Sequence, residues 1–368
     1  MIRVNSFCRA AIAGTLCFLF LFAMGGCGSG GGNSKLNGGI YNFSGPPRIR
    51  FGSYPSSNVG TTYLDKNLGT HGYGYTAAEK NGIIYTCRAG HIDIVHLRIA
   101  ADWTAYLTMK TFNTLTSDGD GFTYKLDVDR SRYFVKFSYP ENWKHLPIDE
   151  KRRIAAEVAP NLGQYFTFTM TTWHEILTWF GFKCIAVLPE YPSAFSWEES
   201  FSNLLGTILA VEAMCDAEHS YDQALTIAIE NELEKLGVQS AQVARKAADS
   251  VKGSWFTGSV LFMVDMKRRN FDIGLKDGFV TPTLVPNISE CAGAEPVSYP
   301  IPNPDVVSKY GIKFTLEVEP HEWESGKILG IVSDKVRKNR IIPAETFPAI
   351  MDYIEKDAVK KGYICDFN

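Results

Sequence analysis

Apolar positions follow two periods along this chain, helical in the middle and alternating on either side of it. Helical spacing is clearest over 91–107 and 164–180, where apolar side chains return every three or four residues. The same spacing recurs in four further stretches, 196–215, 221–236, 240–251 and 344–360. The pattern therefore predicts a helical middle third and a C-terminal amphipathic helix.

Alternating apolar and polar residues predict strands on both sides of the helical part. The stretches 122–128 and 133–139 alternate and are joined by a short turn, which is typical of a β-hairpin. Further strands are predicted at 260–266 and 314–318, and a second hairpin at 271–280. We expect an α+β fold, in which a central helical segment packs with flanking β-hairpins as one domain.

Two residues interrupt the helical pattern just before the central helix. Pro160 removes a backbone donor, and Gly163 weakens a helix interior. The sequence therefore predicts that a polar surface helix over 147–158 ends there and that a separate helix begins near Gln164.

The central helix carries the dipeptide His174-Glu175 in an apolar, aromatic surrounding. Such a titratable pair costs free energy unless it is hydrogen-bonded, ion-paired or bound to a metal. In zinc peptidases a His-Glu pair opens the motif HExxH, whose second histidine is also a zinc ligand. Here the corresponding residue is Thr178, so a metal site would need ligands from elsewhere in the chain.

The two neighbouring predicted helices offer suitable ligands. The earlier helix carries His96 with Asp93 or Asp102, and the later one carries Glu198 or Glu199. Facing helices that each present an acid or a histidine can build a metal site between them.

We therefore formulate the hypothesis of a metal site, with zinc as the candidate ion. In this hypothesis His96, His174 and Glu199 bind the metal, and Glu175 is the general base that takes a proton from water on the metal. Three further polar residues are expected to contribute to binding: Arg98, Asp102 and Asn203.

Each of these residues also has a structural explanation. His174 would be a buried histidine bonded to a threonine, and Glu175 would pair with an arginine. Glu199 fits a capping box in which Ser196 is the N-cap residue. Arg98 and Asp102 are four residues apart, the spacing of an ion pair on a helix surface.

Thiol chemistry is a second hypothesis. Cys87 lies close in sequence to His91 and His96, and a cysteine nucleophile with a histidine base recurs in papain-like and cell-wall amidase enzymes. A disulfide at Cys87 would exclude this hypothesis. The sequence contains neither a GxSxG nucleophile elbow nor a phosphate-binding glycine loop.

The N-terminus has the pattern of a targeting segment. Residues 1–26 combine two arginines with an apolar stretch of signal-peptide length. They end in Met24-Gly25-Gly26 before Cys27, which resembles the lipobox of bacterial lipoproteins, although the first of these positions is usually leucine. We expect cleavage before Cys27, a lipid such as palmitate on it, a Gly/Ser-rich tether over 27–44 and a folded domain over 45–368.

Composition narrows the function only slightly. A net charge of −3 without a long basic stripe gives no reason to expect a nucleic-acid partner. The aromatic share of 13% suits a protein that faces carbohydrate or the cell envelope, but a packed core explains it better. Five cysteines remain after Cys27, so at most two disulfides form, and their pairing is open: Cys87, Cys184, Cys215, Cys291 and Cys365.

Four longer stretches together carry a resemblance. YTCRAGHIDIVHLRIAADWT (85–104), TWHEILTWFGF (172–182), FSWEESFSNLLG (195–206) and RNFDIGLKDGFVTP (269–282) resemble a family of bacterial lipoproteins described only as a domain of unknown function. The resemblance covers about 45–360. It implies a bacterial envelope location, and it supplies no activity and no catalytic residues.

The sequence thus predicts an envelope protein that is lipid-anchored through Cys27, at the outer membrane and facing the periplasm. Its activity is open between a metal-assisted hydrolase and a non-catalytic protein that binds a glycan, a lipid or another protein through an aromatic cleft.

Overall fold

The computed structural model describes residues 43, 45–50, 62–74, 78–126, 128–184, 188–258 and 264–366. The predicted signal segment, Cys27 and all of the predicted tether except Phe43 lie outside the described residues. Most of the predicted strand at 260–266 also lies outside them, and only Asp265–Met266 is seen as strand. The described elements form an α+β fold, as the sequence predicted.

Three helices form the centre of the fold, α1 (Ile94–Thr116), α2 (Ile148–Trp179) and α3 (Glu199–Cys215). Helix α1 contacts both of the others, and most of its residues are buried. The strands β1 (Ile83–Thr86) and β2 (Gly90–Asp93) pair antiparallel and lead directly into α1. The helix predicted over 91–107 is therefore confirmed from Ile94 onward, whereas 91–93 belong to β2.

Two glycines allow the three helices to approach each other closely. A Cβ atom at Gly163 of α2 would lie 2.1 Å from the Thr108 hydroxyl of α1. A Cβ atom at Gly206 of α3 would lie 2.1 Å from the Leu97 carbonyl oxygen on the same helix α1. Only glycine fits at either point. Gly163, which suggested a helix break in the sequence, therefore allows α2 to pack closely against α1.

The predicted break between two helices at Pro160 and Gly163 is wrong, since α2 runs from Ile148 to Trp179 without interruption. The Asn161 side-chain amide donates to the Glu157 carbonyl oxygen at 3.0 Å, in the turn that contains the proline. Apolar residues before and after Pro160 are fully buried. Burial of this long face outweighs the local penalty of a helical proline, which is about 3 kcal/mol.

The largest described sheet has three strands, β3 (Gly121–Tyr124), β4 (Arg132–Ser138) and β12 (Lys313–Glu319). They are antiparallel and lie in the order β12–β4–β3. Tyr124 and Tyr133 face each other across β3 and β4 and stack with ring centroids 4.7 Å apart. The first predicted hairpin and the strand at 314–318 are thus confirmed, and they form one sheet although they are far apart in sequence.

The second predicted hairpin, at 271–280, is wrong. Phe279–Val280 instead pairs with Tyr299–Pro300. The stretch 271–274 forms a turn and not a strand, because the Asp272 carboxylate accepts from Gly274 N–H and Thr281 N–H.

Short strands and further helices complete the described fold. They are β5 (Lys183–Cys184), β6 (Leu188–Pro189), α4 (Tyr221–Lys235), α5 (Ala241–Val251), β7 (Phe256–Thr257), β8 (Asp265–Met266), β9 (Arg268–Asn270), β10 (Phe279–Val280), β11 (Tyr299–Pro300), α6 (Ser325–Ile331), α7 (Pro343–Lys360) and β13 (Ile364–Asp366). The helices predicted near 221–236, 240–251 and 344–360 are confirmed. Among the residues described, no helix has both the length and the apolar character needed to cross a membrane.

Candidate functional site

Each of the three central helices contributes one side chain to a cluster of possible metal ligands. His96 of α1, Glu175 of α2 and Glu199 of α3 each offer a ligand atom, and these atoms all lie within 4.8 Å of one another. Both glutamates are buried, and the His96 side chain is 22% exposed. The packing of α1 against α2 and α3 therefore creates a cluster of one imidazole and two carboxylates.

Asp93 fixes the orientation of His96. It is the N-cap residue of α1, and one of its oxygens accepts the N–H groups of Val95 and His96. The other oxygen accepts a hydrogen bond from His96 Nδ1 at 2.8 Å. The second ring nitrogen, Nε2, is left to face Glu199 at 3.9 Å. Burial opposes the charged imidazolium, but the nearby acids, led by Asp93, raise the pKa of His96.

The two glutamates are held by neighbouring backbone amides. Phe195 N–H donates to Glu175 Oε2 at 2.9 Å, and Ser196 N–H donates to Glu199 Oε2 at 2.9 Å. A carboxylate oxygen of Glu175 and one of Glu199 lie within 4.8 Å of each other. Burial, followed by the charges of Glu175 and Glu198, raises the pKa of Glu199 well above its usual range. The site therefore concentrates carboxyl groups away from water, where their charged forms are unfavourable.

Glu198 adds a further buried carboxyl group beside the cluster. Its Oε1 accepts from the Ser196 hydroxyl at 2.6 Å, and its Oε2 has no hydrogen-bond partner within the described chain. Burial, with a contribution from Asp93, raises the pKa of Glu198 to about 8. The hydroxyl of Ser196 is thereby used by Glu198, so only half of the predicted capping box forms: Glu199 reaches back to Ser196 N–H, and helix α3 begins at Glu199 without a side-chain cap.

His174 lies in a different place from its neighbour Glu175. Its Nδ1 hydrogen-bonds Asp129 Oδ1 at 2.7 Å, and its Nε2 lies 3.4 Å from Glu190 Oε2. Burial opposes its charge, but Asp129 and then Glu190 raise the pKa of His174 to about 10. The expected convergence of His174 with His96 is not seen, because consecutive residues of a helix point about 100° apart. The structure brings Glu175 to the cluster as a candidate ligand instead.

Arg98 and Asp102 do not form the predicted pair on the helix surface. Both are buried. Arg98 donates to the Leu68 and Lys80 carbonyl oxygens, and Asp102 pairs with Arg50 at 2.7 Å and His71 at 2.9 Å. These residues join the segment around 68–80 to α1, so their described contacts are structural.

The third expected binding residue, Asn203, lies on α3 one turn after Glu199. It is buried, and its side-chain oxygen has no hydrogen-bond partner among the described residues. The structure therefore leaves its expected role in binding open.

Two other motifs have structural roles. Cys87 forms a disulfide with Cys291, which excludes the hypothesis of a Cys87 nucleophile. Glu322 is buried and accepts from the N–H groups of Arg130 and Ser131 at 2.7 Å each.

Comparison with known proteins gives one match. A family described as protein of unknown function (DUF4056) matches residues 57–276, which is more than half of the chain. The chain belongs to this family. The matched region contains His96, Glu175 and Glu199 together with Asp93. Neither a curated protein nor a solved structure shows significant similarity to the chain. Membership in a family of unknown function is thus confirmed, and lipid attachment remains a prediction.

Proposed function

We propose that this protein binds a divalent transition-metal ion through His96, Glu175 and Glu199 and uses it in a hydrolytic reaction at the bacterial cell envelope. The observation that carries the proposal is the meeting of these three ligand atoms within 4.8 Å, each from a different helix. Burying an imidazole and two carboxyl groups together costs free energy unless they are compensated, for example by a bound metal ion.

The charge balance of the cluster supports a cation. Asp93, Glu175, Glu198 and Glu199 are all buried, and His96 is the histidine among them. Carboxylates crowded in a buried place are unfavourable unless they take up protons or a positive ion. A divalent ion between His96 Nε2 and the two glutamates would offset this negative charge at the point where it is densest.

The surroundings of His96 match those of a metal ligand. Metal-binding histidines usually donate their other ring N–H to a carboxylate, which fixes the ring and raises the basicity of the ligand. The Nδ1 hydrogen bond of His96 to Asp93 at 2.8 Å is such a contact. It leaves Nε2 with its lone pair directed to the side where Glu199 lies.

The ligand types narrow the choice of ion and the chemistry. One imidazole and two carboxylates suit zinc or manganese better than calcium or copper. Three protein ligands leave a coordination position for water or substrate, as in catalytic rather than closed structural sites. A bound ion would polarise a carbonyl or phosphoryl oxygen and make a water molecule more acidic. The partly exposed ring of His96 gives solvent access to this side of the cluster.

Metal content of the purified protein tests the proposal. The protein should be prepared without chelator as wild type, as Glu199→Gln and as the matched surface variant Glu218→Gln, since Glu218 is exposed. We expect near-stoichiometric zinc or manganese in the wild type and in Glu218→Gln, and little in Glu199→Gln. A wild-type protein without metal that also takes up none on titration would refute the proposal. A full metal content without any hydrolytic activity would favour a binding role for the protein.

The envelope location is part of the same proposal, and the sequence around Cys27 supports it. Metabolic labelling with a palmitate analogue should mark the wild type and leave Cys27→Ala unlabelled. Unlabelled wild type in a host that processes lipoproteins would contradict lipid attachment without affecting the metal site.

A further inference from the structure

The backbone donors that hold both glutamate ligands come from one loop, residues 191–196. Phe195 N–H bonds Glu175 and Ser196 N–H bonds Glu199, each at 2.9 Å. The position of this loop therefore decides how the two carboxylates lie relative to each other and to His96.

The loop holds an unfavourable backbone conformation at the residue that contacts Glu175. Phe195 has a φ of 52°, in the left-handed region that bulky residues rarely adopt. Its ring is fully buried and lies against Phe271, with ring centroids 5.2 Å apart. Its carbonyl oxygen accepts from Asn270 N–H at 3.0 Å. Such a conformation persists only where the surrounding structure imposes it.

Arg269 contacts this loop from outside it through three hydrogen bonds. One guanidinium nitrogen donates to the carbonyl oxygens of Tyr191 at 3.3 Å, Pro192 at 3.2 Å and Ala194 at 2.5 Å. Arg269 is 1% exposed, and its charge also interacts with Glu199. Because three carbonyl oxygens converge on one buried cation, the turn from Tyr191 to Ala194 is fixed in shape.

An aromatic enclosure holds Arg269 itself. Its guanidinium carbon lies 5.7 Å from the ring centre of Trp179, 5.4 Å from that of Tyr191 and 5.1 Å from that of Tyr363. Tyr363 precedes β13, which pairs in parallel with the strand that carries Arg269. The C-terminal segment, beyond the region matched by the family, thus helps to keep the arginine in place.

We propose that Arg269 is a positioning residue, which sets the affinity of the metal site by holding loop 191–196 so that its amides fix Glu175 and Glu199. This inference rests on the proposed function. It adds a residue that lies far from the glutamates in sequence, and that the motifs around His174 did not point to.

Lysine cannot replace arginine in this role. A guanidinium offers several donors in a rigid plane and stacks on aromatic rings, whereas an ammonium is a compact and strongly hydrated point charge. Arg269→Lys therefore keeps the buried charge while it removes the planar group that the three carbonyl oxygens and the rings surround. Tyr363→Leu weakens the enclosure and leaves every donor of Arg269 in place.

Two measurements on the full chain test the inference. The variants are Arg269→Lys, Arg269→Gln and Tyr363→Leu, with Arg268→Gln as the matched control, because the adjacent Arg268 instead lies over the Trp255 ring at 4.4 Å. Hydrogen exchange of the Phe195 and Ser196 amides reports on the loop without any metal. Titration of the metal-free protein with zinc, and separately with manganese, reports on the site.

We expect faster exchange at both amides, and an affinity for metal about tenfold to a hundredfold weaker in Arg269→Lys, the range found for outer-shell partners of metal ligands. Tyr363→Leu should show the same changes at a smaller size, and Arg268→Gln neither of them. If Arg269→Gln fails to fold, Arg269→Lys and Tyr363→Leu still test the inference.

Unchanged exchange and unchanged affinity in Arg269→Lys and Tyr363→Leu would overturn the inference. Weaker metal binding with unchanged exchange would also overturn it, since the effect would then not pass through the loop. If the wild type binds no metal, the proposed function fails and the affinity claim with it. Faster exchange in the variants would in that case still support the part of the inference that concerns the loop.

Discussion

Among the described residues, the same local motif is found at Asp93–His96 and at Asp216–His219. In each, one aspartate oxygen accepts backbone N–H groups of the next turn, including that of the histidine. In each, the other oxygen accepts from histidine Nδ1 at 2.8 Å. The first pair lies among buried acids, with Asp93 fully buried and the His96 side chain 22% exposed, whereas the side chains of Asp216 and His219 are 26% and 45% exposed.

The comparison shows that the local motif does not make the candidate site. An aspartate three residues before a histidine orients the ring in both places, and it does so through the same hydrogen bonds. Among the residues that the structure describes, it is at His96 that two further helices bring Glu175 and Glu199 close to the second ring nitrogen. The function proposed for His96 therefore depends on helix packing. His219 serves as a control because it has the same local hydrogen bonds.

The largest expected effect comes from removing each histidine in turn. His96→Asn should lower the affinity for zinc or manganese by more than about a hundredfold, since it deletes a ligand, whereas even outer-shell changes cost up to that factor. His219→Asn should leave the affinity unchanged. Calorimetric titration of both metal-free variants measures the difference. Equal losses in the two variants would mean that the His96 cluster has no special role.

Helix packing is tested by Gly206→Ala. The added Cβ would lie 2.1 Å from the Leu97 carbonyl oxygen, so α1 and α3 must move apart, and we expect destabilisation by about 1–3 kcal/mol. Because Glu199 is on α3 and His96 on α1, metal affinity should fall as well. Gly330→Ala is the control, since its added Cβ would meet nothing within 4 Å beyond its chain neighbours and the backbone of its own helix. Denaturant unfolding and metal titration measure the two effects, and unchanged affinity in a destabilised Gly206→Ala would separate the site from the packing.

The role of the aspartate is tested by Asp93→Asn and Asp216→Asn. At Asp93, the N-cap residue of α1, asparagine keeps the contacts to the backbone, because it caps helices about as well as aspartate does. It removes the charge that supports His96, and we expect a loss of about tenfold to a hundredfold in metal affinity. Asp216→Asn should leave metal affinity unchanged. It should change the free energy of unfolding by no more than about 0.5 kcal/mol, as is usual for exposed pairs. A larger loss of metal affinity in Asp216→Asn than in Asp93→Asn would contradict the claim that His96, and not His219, belongs to the metal site.

The pH dependence of stability should also differ between the two places. A carboxyl group whose pKa is raised by folding, such as Glu198 or Glu199, stabilises the protein only while protonated, so the benefit declines as the pH rises above 4.5, the ordinary value. The raised pKa of His96 acts in the same direction, because its benefit is complete below 6.5 and is lost at higher pH. Asp216 behaves oppositely: His219 lowers its pKa, so its benefit is present above 3.8 and lost as the pH falls.

We therefore expect the melting temperature of the metal-free protein to fall between about pH 5 and 8, the interval between the ordinary and raised carboxyl values. Glu175→Gln should reduce this fall and stabilise the metal-free protein on the order of 1 kcal/mol at neutral pH, because the amide can donate to Glu199 where a carboxylate repels it. Thermal melts across this range test the prediction. A steeper fall in Glu175→Gln than in the wild type would contradict it.

The sequence predicted the helices of the site well and their contacts only in part. His96, Glu175 and Glu199 could be chosen because each is a polar residue in a periodic apolar helix, and Thr178 ruled out HExxH. The spacing could not show that His174 faces Asp129, because that contact depends on where the turn after β3 lies, 45 residues away in sequence. Arg98 and Asp102 looked like a surface pair because the segment that buries them, around 68–80, has no periodicity.

Pro160, Gly163 and Arg269 show what sequence reasoning misses for physical reasons. Propensity marks Pro160 and Gly163 as breakers, but burial and close packing against α1 decide the outcome. Arg269 sits in a basic run that resembles a solvated turn, and its importance comes from three carbonyl oxygens supplied by a loop more than 70 residues earlier.

The most direct test of the central claim is an anomalous-difference map from crystals grown with zinc or manganese. We expect one strong peak about 2.0–2.2 Å from His96 Nε2 and from a carboxylate oxygen of each of Glu175 and Glu199. A map without a peak there, or with its main peak at His174 or His219, would contradict the claim that this cluster is a metal site.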